Sequence, residues 1–373
     1  MFLSKYKTQL ADLLRRSRWW DSDSVDEKKR ILSRLECPQK TIRLFRYYNL
    51  NAQTESFVLR NISEGLLTLT NPKCFNDPYD GMLYIDKEYV KRALEPWSAD
   101  RIMACVEAAR AGKPFDGDKD PVLTALIKRL AQVDVGGLKS YLRSQEDEIK
   151  KNGIENLLYV VPGWMRNRVR ICSLSEKGDS PPMWAHYANC GKGFCVEYEV
   201  PTDFQASWLG LPSTHPIYIS LVPVLYSSER YDATHIVEEK ALLLSASKLD
   251  VLGELDMSCH DRLDYLKLVA FKSEDWSYEN EWRLFGAVFG GNDPDYVDMI
   301  APPVKSVVFG NNMDAASVVK LDAAVKSYVM KTKATVELKC LATYHCEKAY
   351  NLGLREMGTI DPDNGFMAAE LPL

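Results

Sequence analysis

The chain contains no run of about 18 apolar residues, so no helix spanning a membrane is expected. It has no G-x-G-x-x-G turn after a strand, and Gly191-Lys192 is followed by Gly193 where a P-loop needs serine or threonine. Neither a Rossmann enzyme nor a P-loop NTPase is expected. Internal repeats and low-complexity blocks are also missing. Basic excess is absent: 47 Lys and Arg stand against 52 Asp and Glu, a net charge of −5 that lends no general support to nucleic-acid binding. The nine cysteines are odd in number and scattered, and Cys105, Cys172, Cys195 and Cys340 sit in apolar runs. That pattern suits reduced thiols in a cytoplasmic protein better than a disulfide framework. In MFLSKYKTQLADLLRRSRWW charges interrupt every candidate apolar core, so the segment does not read as a signal peptide.

What is present is a globular composition, 46% hydrophobic and 27% charged over 373 residues. Charge is uneven: residues 1–46 carry twelve Lys and Arg against six Asp and Glu. Leu10, Leu13 and Leu14 have helical spacing, and DSDSVDEKKRILSRL reads as a second, capped helix, so residues 1–40 are expected to form a basic helical arm. Strands are expected at 41–48, in LLTLT before Asn71-Pro72, at 169–176, at 193–200, within 216–227 and at 335–343. EWRLFGAVF and VKSVVFG are expected to be strands that pair with each other. Helices are expected through 51–63, within 233–270 and over 314–330. Residues 88–160 read as a helical insertion and 346–373 as a C-terminal tail. The order predicts an α+β fold: a mixed, mainly antiparallel β core over 41–345 with flanking helices.

Three segments set polar residues among aromatics. In KCFNDPYDG, Asn76 and Asp77 precede a proline and Asp80 precedes a glycine, a rigid turn in which Asn and Asp more often cap backbone than bind ligand. In SLSEKGDSPPMWAHYANCGKGFCVEYE, a proline pair opens a short helix carrying Trp184, His186 and Tyr187, and the glycines close it before the next strand. His186, Cys190 and Cys195 lack a fourth ligand at metal-site spacing, so no metal is expected. In WSYENEWRLF a strand places Glu279, Glu281 and Arg283 on one face with Tyr278 and Trp282 behind, whereas a helix pairs Glu279 with Arg283. The strand reading is favoured because LFGAVF continues the β pattern. Glu281 is then expected to line a pocket and Glu279 to pair with Arg283.

Together LFRYY, FNDPYDG, CSLSE with MWAHYANCGKGFCVEYE, WSYENEWRLF and VVFG resemble a bacterial family known as domain of unknown function 2971. The resemblance spans about 41–345 and implies a fold and a site location without a reaction. A fainter likeness is to the ADP-ribosyltransferase superfamily. Arg46 stands on the first strand, Ser175 and Tyr187 in the middle block, and Glu279-Asn280-Glu281 in the third. The superfamily's Ser-Thr-Ser element is absent. The likeness implies NAD as cosubstrate, with Glu281, Arg46 and His186 as catalytic residues. Tyr47, Asn76, Asp77, Ser175, Trp184, Tyr187, Glu279 and Arg283 would then surround the cofactor. Two alternatives are a non-catalytic module binding a small anionic ligand or nucleotide, and a nucleic-acid-targeting toxin using Arg15, Arg16 and Arg18 of the arm.

Overall fold

The computed structural model describes residues 2–16, 39–88, 99–115, 121–132, 135–148, 163, 166–202, 220–234, 261–287, 294–343 and 352–368. The expected helix at 21–35 and Arg18 lie outside them, as do Gly290-Gly291, expected to end the strand that EWRLFGAVF forms, and Cys259-His260 and His345-Cys346, adjacent pairs that would need partners from elsewhere to hold a metal.

Strand β1 (Thr41–Tyr48) has the alternation its sequence promises, with Ile42 and Leu44 buried between exposed neighbours. Helix α2 (Glu55–Glu64) ends where Gly65 adopts φ 70°, a left-handed cap whose N–H reaches the carbonyls of Asn61 and Ile62. β2 (Leu66–Thr70) follows, and Asn71 stops it by accepting from the Lys73 amide. Within the expected helical insertion lie α3 (Ala99–Arg110), α4 (Pro121–Leu130) and α5 (Val135–Glu148). They bury their own apolar cluster around Met103, Val106, Ile127 and Leu138, apart from the main core. β3 (Val169–Ser175), α6 (Pro181–Tyr187) and β4 (Phe194–Pro201) come next. β5 (Ser220–Pro223), β6 (Leu225–Ser227), α7 (Asp261–Ala270), β7 (Phe271–Ser273) and β8 (Glu281–Ala287) continue the chain. It then runs through β9 (Tyr296–Ile300), β10 (Val304–Phe309), α8 (Ala315–Thr332) and β11 (Val336–Thr343).

The fold is α+β with a mainly antiparallel sheet, as the element order predicts. Three expectations change. EWRLFGAVF and VKSVVFG do not pair: β8 lies between β3 and β5, and β10 between β4 and β11. The expected tail contains β12 (Leu352–Asp361) and β13 (Gly365–Ala368), a hairpin added to β11. Helix α1 (Phe2–Arg16) is no free arm, because Tyr6, Leu10 and Leu14, one residue per turn, are buried in the main core. Each such leucine contributes about 2 kcal/mol of burial, enough to hold a short helix down.

The sheet runs β13-β12-β11-β10-β4-β1-β3-β2-β9, with β8 along the free side of β3. β1 and β4 pair along their full length, but β1 and β3 meet only at Phe45 and Ser175. β2 and β3 meet only at Thr70 and Ile171. The ladder therefore forks at β3, and backbone pairing cannot fill the space between the diverging strands. Two glycines close the frame beside it. Gly81 ends the FNDPYDG turn at φ 65°, with Pro72 3.3 Å from where a Cβ would stand. Gly193, between α6 and β4, lies so close to the Tyr48 carbonyl that a Cβ would collide with it. The Gly-Lys-Gly run is thus a packing device.

Candidate active site

The fork opens into a cleft of about 350 Å³, in the range of small-molecule sites. Its walls include Phe45, Arg46 and Tyr47 from β1, Ser173 and Ser175 from β3, and Met183 and Tyr187 from α6. Asn76 comes from the FNDPYDG turn, Lys272 from β7, and Glu279 and Glu281 from WSYENEWRLF.

WSYENEWRLF divides between a turn and a strand, and the α-helical reading with its Glu279–Arg283 pair is not what forms. Residues 274–279 form a 3-10 turn, capped by the Ser273 hydroxyl accepting from the Asp275 amide and closed by Asn280 at φ 45°. The strand starts at Glu281. Only Glu281 and Arg283 therefore share a strand face, and Glu279 enters from the end of the turn. Trp282 packs behind as expected: it is fully buried, stacks on Tyr6 at 6.4 Å, and donates to Glu176 at 2.7 Å. Tyr278 does not pack behind; it stands half-buried, its ring 6.0 Å from that of His186.

The glutamates also exchange expected partners. Arg283 donates to Glu281 through Nε at 2.8 Å and to Asp80 through both terminal nitrogens at 2.9 and 2.6 Å. Glu279 instead accepts from Lys272 Nζ at 2.6 Å and from the Tyr187 hydroxyl at 2.5 Å. Lys272 Nζ lies 3.0 Å from Glu281 as well, and its side chain is only 6% exposed. Burial alone would raise the Glu281 carboxyl, but Arg283 and then Lys272 outweigh it and bring it to about 2. Burial raises the Glu279 carboxyl, and the neighbouring Glu281 charge adds to that against the pull of Lys272. Two carboxylates two residues apart are thus driven in opposite directions, the arrangement that lets one stay ionised while the other exchanges a proton.

Arg46 occupies the other wall. Alternation places it on the face of Leu44 and Tyr48, yet it lines the cleft where β1 parts from β3. Its guanidinium donates to the Thr68 carbonyl at 3.3 Å, touches the Cys172 sulfur and lies over the Tyr48 ring. Among the described residues no carboxylate pairs with it.

Of the expected residues, Arg46, Tyr47, Asn76, Ser175, Tyr187, Glu279 and Glu281 come together. Tyr47 donates to the Lys177 carbonyl at 2.7 Å, Ser175 to the Glu279 carbonyl at 2.6 Å, and Asn76 to the Tyr187 hydroxyl at 3.4 Å. Four others have different places. His186 is exposed at the end of α6 and does not line the cleft. Asp77 caps the turn by accepting from the Tyr79 amide at 2.9 Å. Trp184 is buried and donates to the Gly178 carbonyl at 2.9 Å. Arg283 is fully buried behind Glu281. The side chains of Arg15 and Arg16 lie outside the described residues. Lys272, Asp80 and Ser173 interact with Glu281 at the cleft and were passed over as site residues by motif reading. Asp80 carried a signal in its Asp-Gly turn; Lys272 carried none.

The class defined by this architecture is an α+β protein with a forked sheet and a charged cleft at the fork. Residues 183–284 match the family model described as Protein of unknown function (DUF2971). The match includes Tyr187, Lys272, Glu279, Glu281 and Arg283, and leaves Arg46 and the serines of β3 outside. No curated protein and no solved structure shows a significant match to the chain. Among the described residues no helix is long and apolar enough to cross a membrane.

Proposed function

We propose that the cleft is the active site of an enzyme that breaks the nicotinamide–ribose bond of NAD and passes ADP-ribose to a macromolecule or to water. The observation carrying this reading is the meeting of Arg46, Ser175 and Glu281 at one cleft from three laterally joined strands, β1, β3 and β8. Phe45, Ser175 and Glu281 form one row across those strands, with Arg46 the next residue along β1. In this reading Glu281, kept ionised by Arg283 and Lys272, faces the positive charge that develops on the ribose as nicotinamide leaves. Fixed charge at that position acts without reorganisation. Arg46, with no carboxylate of its own among the described residues, holds the diphosphate.

NAD turnover and NAD-induced thermal stabilisation test it together. Saturating NAD should raise the melting temperature, by an amount that grows with ligand concentration. Glu281→Gln should cut turnover at least about 100-fold, the usual scale for losing one fixed electrostatic group, while the chain stays folded. No stabilisation by millimolar NAD and no nicotinamide release would overturn the proposal.

One observation favours a second reading, a binding module for a small anion or nucleotide. The Glu281 carboxylate already receives Arg283, Lys272 and Ser173, as a structural carboxylate would. Stabilisation by ADP-ribose or nucleotides without NAD turnover would select that reading.

A further inference from the structure

Lys272 reaches the cleft from a strand of three residues, paired in parallel with β6 so that Tyr226 stands beside it. Its ammonium meets the Oε2 atoms of Glu279 and Glu281 at 2.6 and 3.0 Å. It stands 4.9 Å from the centre of the Trp276 ring, which limits its freedom on that side. These contacts join two pieces of backbone that lack a common hydrogen-bond ladder: Glu279 ends the 3-10 turn and Glu281 opens β8. Glu281 has Arg283 as a second cation, and Arg283 is anchored in turn by Asp80. Lys272 is the only cation that hydrogen-bonds Glu279 among the described residues, and its charge is divided between two carboxylates.

We infer that Lys272 is the positioning residue of the cleft: it clamps the 3-10 turn to β8 and leaves Glu281 as the fixed anion and Glu279 as the proton-exchanging carboxylate. Three carboxylates, Asp80, Glu279 and Glu281, share two cations, Lys272 and Arg283, so one negative charge is left over. Burial raises both Asp80 and Glu279, and Glu281 adds like charge to each; Asp80 is held by the two terminal nitrogens of Arg283, so the surplus falls to Glu279, the carboxylate without an arginine. The groups facing Glu279 are consistent with this assignment. Tyr187 of α6 donates to it, Tyr278 and Tyr226 stand near it, and Glu281 adds like charge. Arg283 is turned toward Asp80 and Glu281. The consequence for catalysis rests on the proposed reaction; the division of roles between the glutamates does not.

The test is a carboxyl NMR titration of the intact chain labelled at glutamate, with resonances assigned by Glu279→Gln and Glu281→Gln. In Lys272→Met the Glu281 midpoint should rise by about one pH unit or more, the scale of losing an adjacent charge, and Lys272→Arg should hold it near wild type. Unchanged midpoints in Lys272→Met would overturn the inference whatever the substrate. Should Lys272→Met not fold, Lys272→Met in the Glu279→Gln background removes both charges together. Glu281 should then titrate higher than in Glu279→Gln alone, and an equal midpoint would overturn the inference. Where NAD is turned over, Lys272→Arg should keep the pH profile of kcat with little change in KM. If the titrations behave as expected and wild type releases no nicotinamide, the proposed reaction fails and the role of Lys272 stands.

Discussion

The two walls of the cleft are built on opposite principles. On the glutamate wall every charge has a buried partner: Asp80, Arg283, Glu281, Lys272 and Glu279 form one continuous chain of ion pairs. On the β1 wall Arg46 has a carbonyl, a sulfur and a ring, with no carboxylate among the described residues. The first wall finds its partners within the protein, with one negative charge left over, and belongs to its stability. In the proposed reading the second is completed by an anion that enters the cleft. Removing a charge from the first wall strands others in a dry environment, whereas removing Arg46 strands none.

The largest effect should come from Arg283→Met. It leaves Asp80 and Glu281 buried with one lysine between them, and breaking a buried pair from one side costs about 3–5 kcal/mol. Arg46→Met should cost no more than about 1 kcal/mol, the ordinary scale of a hydrogen bond or surface-type contact. Urea unfolding of both variants measures the contrast, and equal losses would erase the distinction between the walls. Adding Asp80→Asn to Arg283→Met should return part of the loss.

Next come the two glutamates, which link stability to pH with opposite signs. Glu281 lies below its ordinary 4.5, at about 2, so its stabilisation is full above 4.5 and lost as pH falls toward 2. Integrated, that window is worth about 3 kcal/mol. Glu279 is raised above 4.5, so its favourable, protonated form is lost as pH climbs through its folded value. Glu281→Gln should therefore flatten the acid limb of a stability–pH curve, and Glu279→Gln should flatten the decline on the neutral side. Parallel changes in both variants would show that the pair titrates as one unit.

Much of the frame was legible because period and punctuation agree in the sequence. Alternation in TIRLFRYY, Gly65 after ESFVLRNISE, and Asn71-Pro72 after LLTLT each mark an element by a local cause. Other elements have no strong local cause. LGLREMGTID, partly exposed and interrupted by glycine, becomes a strand because β11 offers it an edge. YVDMI does so beside β2, with Tyr296 and Ile300 left exposed. The same limit governs the site. Glu279, Glu281 and Tyr187 stand out as polar groups among aromatics, and the FNDPYDG turn stands out by its own chemistry. Lys272 sits in a three-residue strand within an unremarkable Phe-Lys-Ser, and nothing local distinguishes it from a solvated lysine. Its role arises from the pairing of β7 with β6 and the return of the chain through the 3-10 turn, both tertiary events.

The smallest expected effect joins the two walls. With Glu279 ionised, the glutamate wall carries one uncompensated negative charge, which opposes an anion held at Arg46; with Glu279 protonated, that opposition disappears. Anion affinity should therefore rise as pH falls through the Glu279 value, which burial holds above 4.5. At an effective dielectric near 20, one charge removed across a cleft of this size, about 9 Å wide, is worth about 2 kcal/mol, roughly thirtyfold in affinity. Calorimetric titration with ADP-ribose over mildly acidic to neutral pH reads this directly. Glu279→Gln should bind as wild type does at the acid end and lose the pH dependence, while Arg46→Met should weaken binding at every pH. If the dependence survives Glu279→Gln, a group other than the glutamate wall governs anion entry, and the two walls act independently.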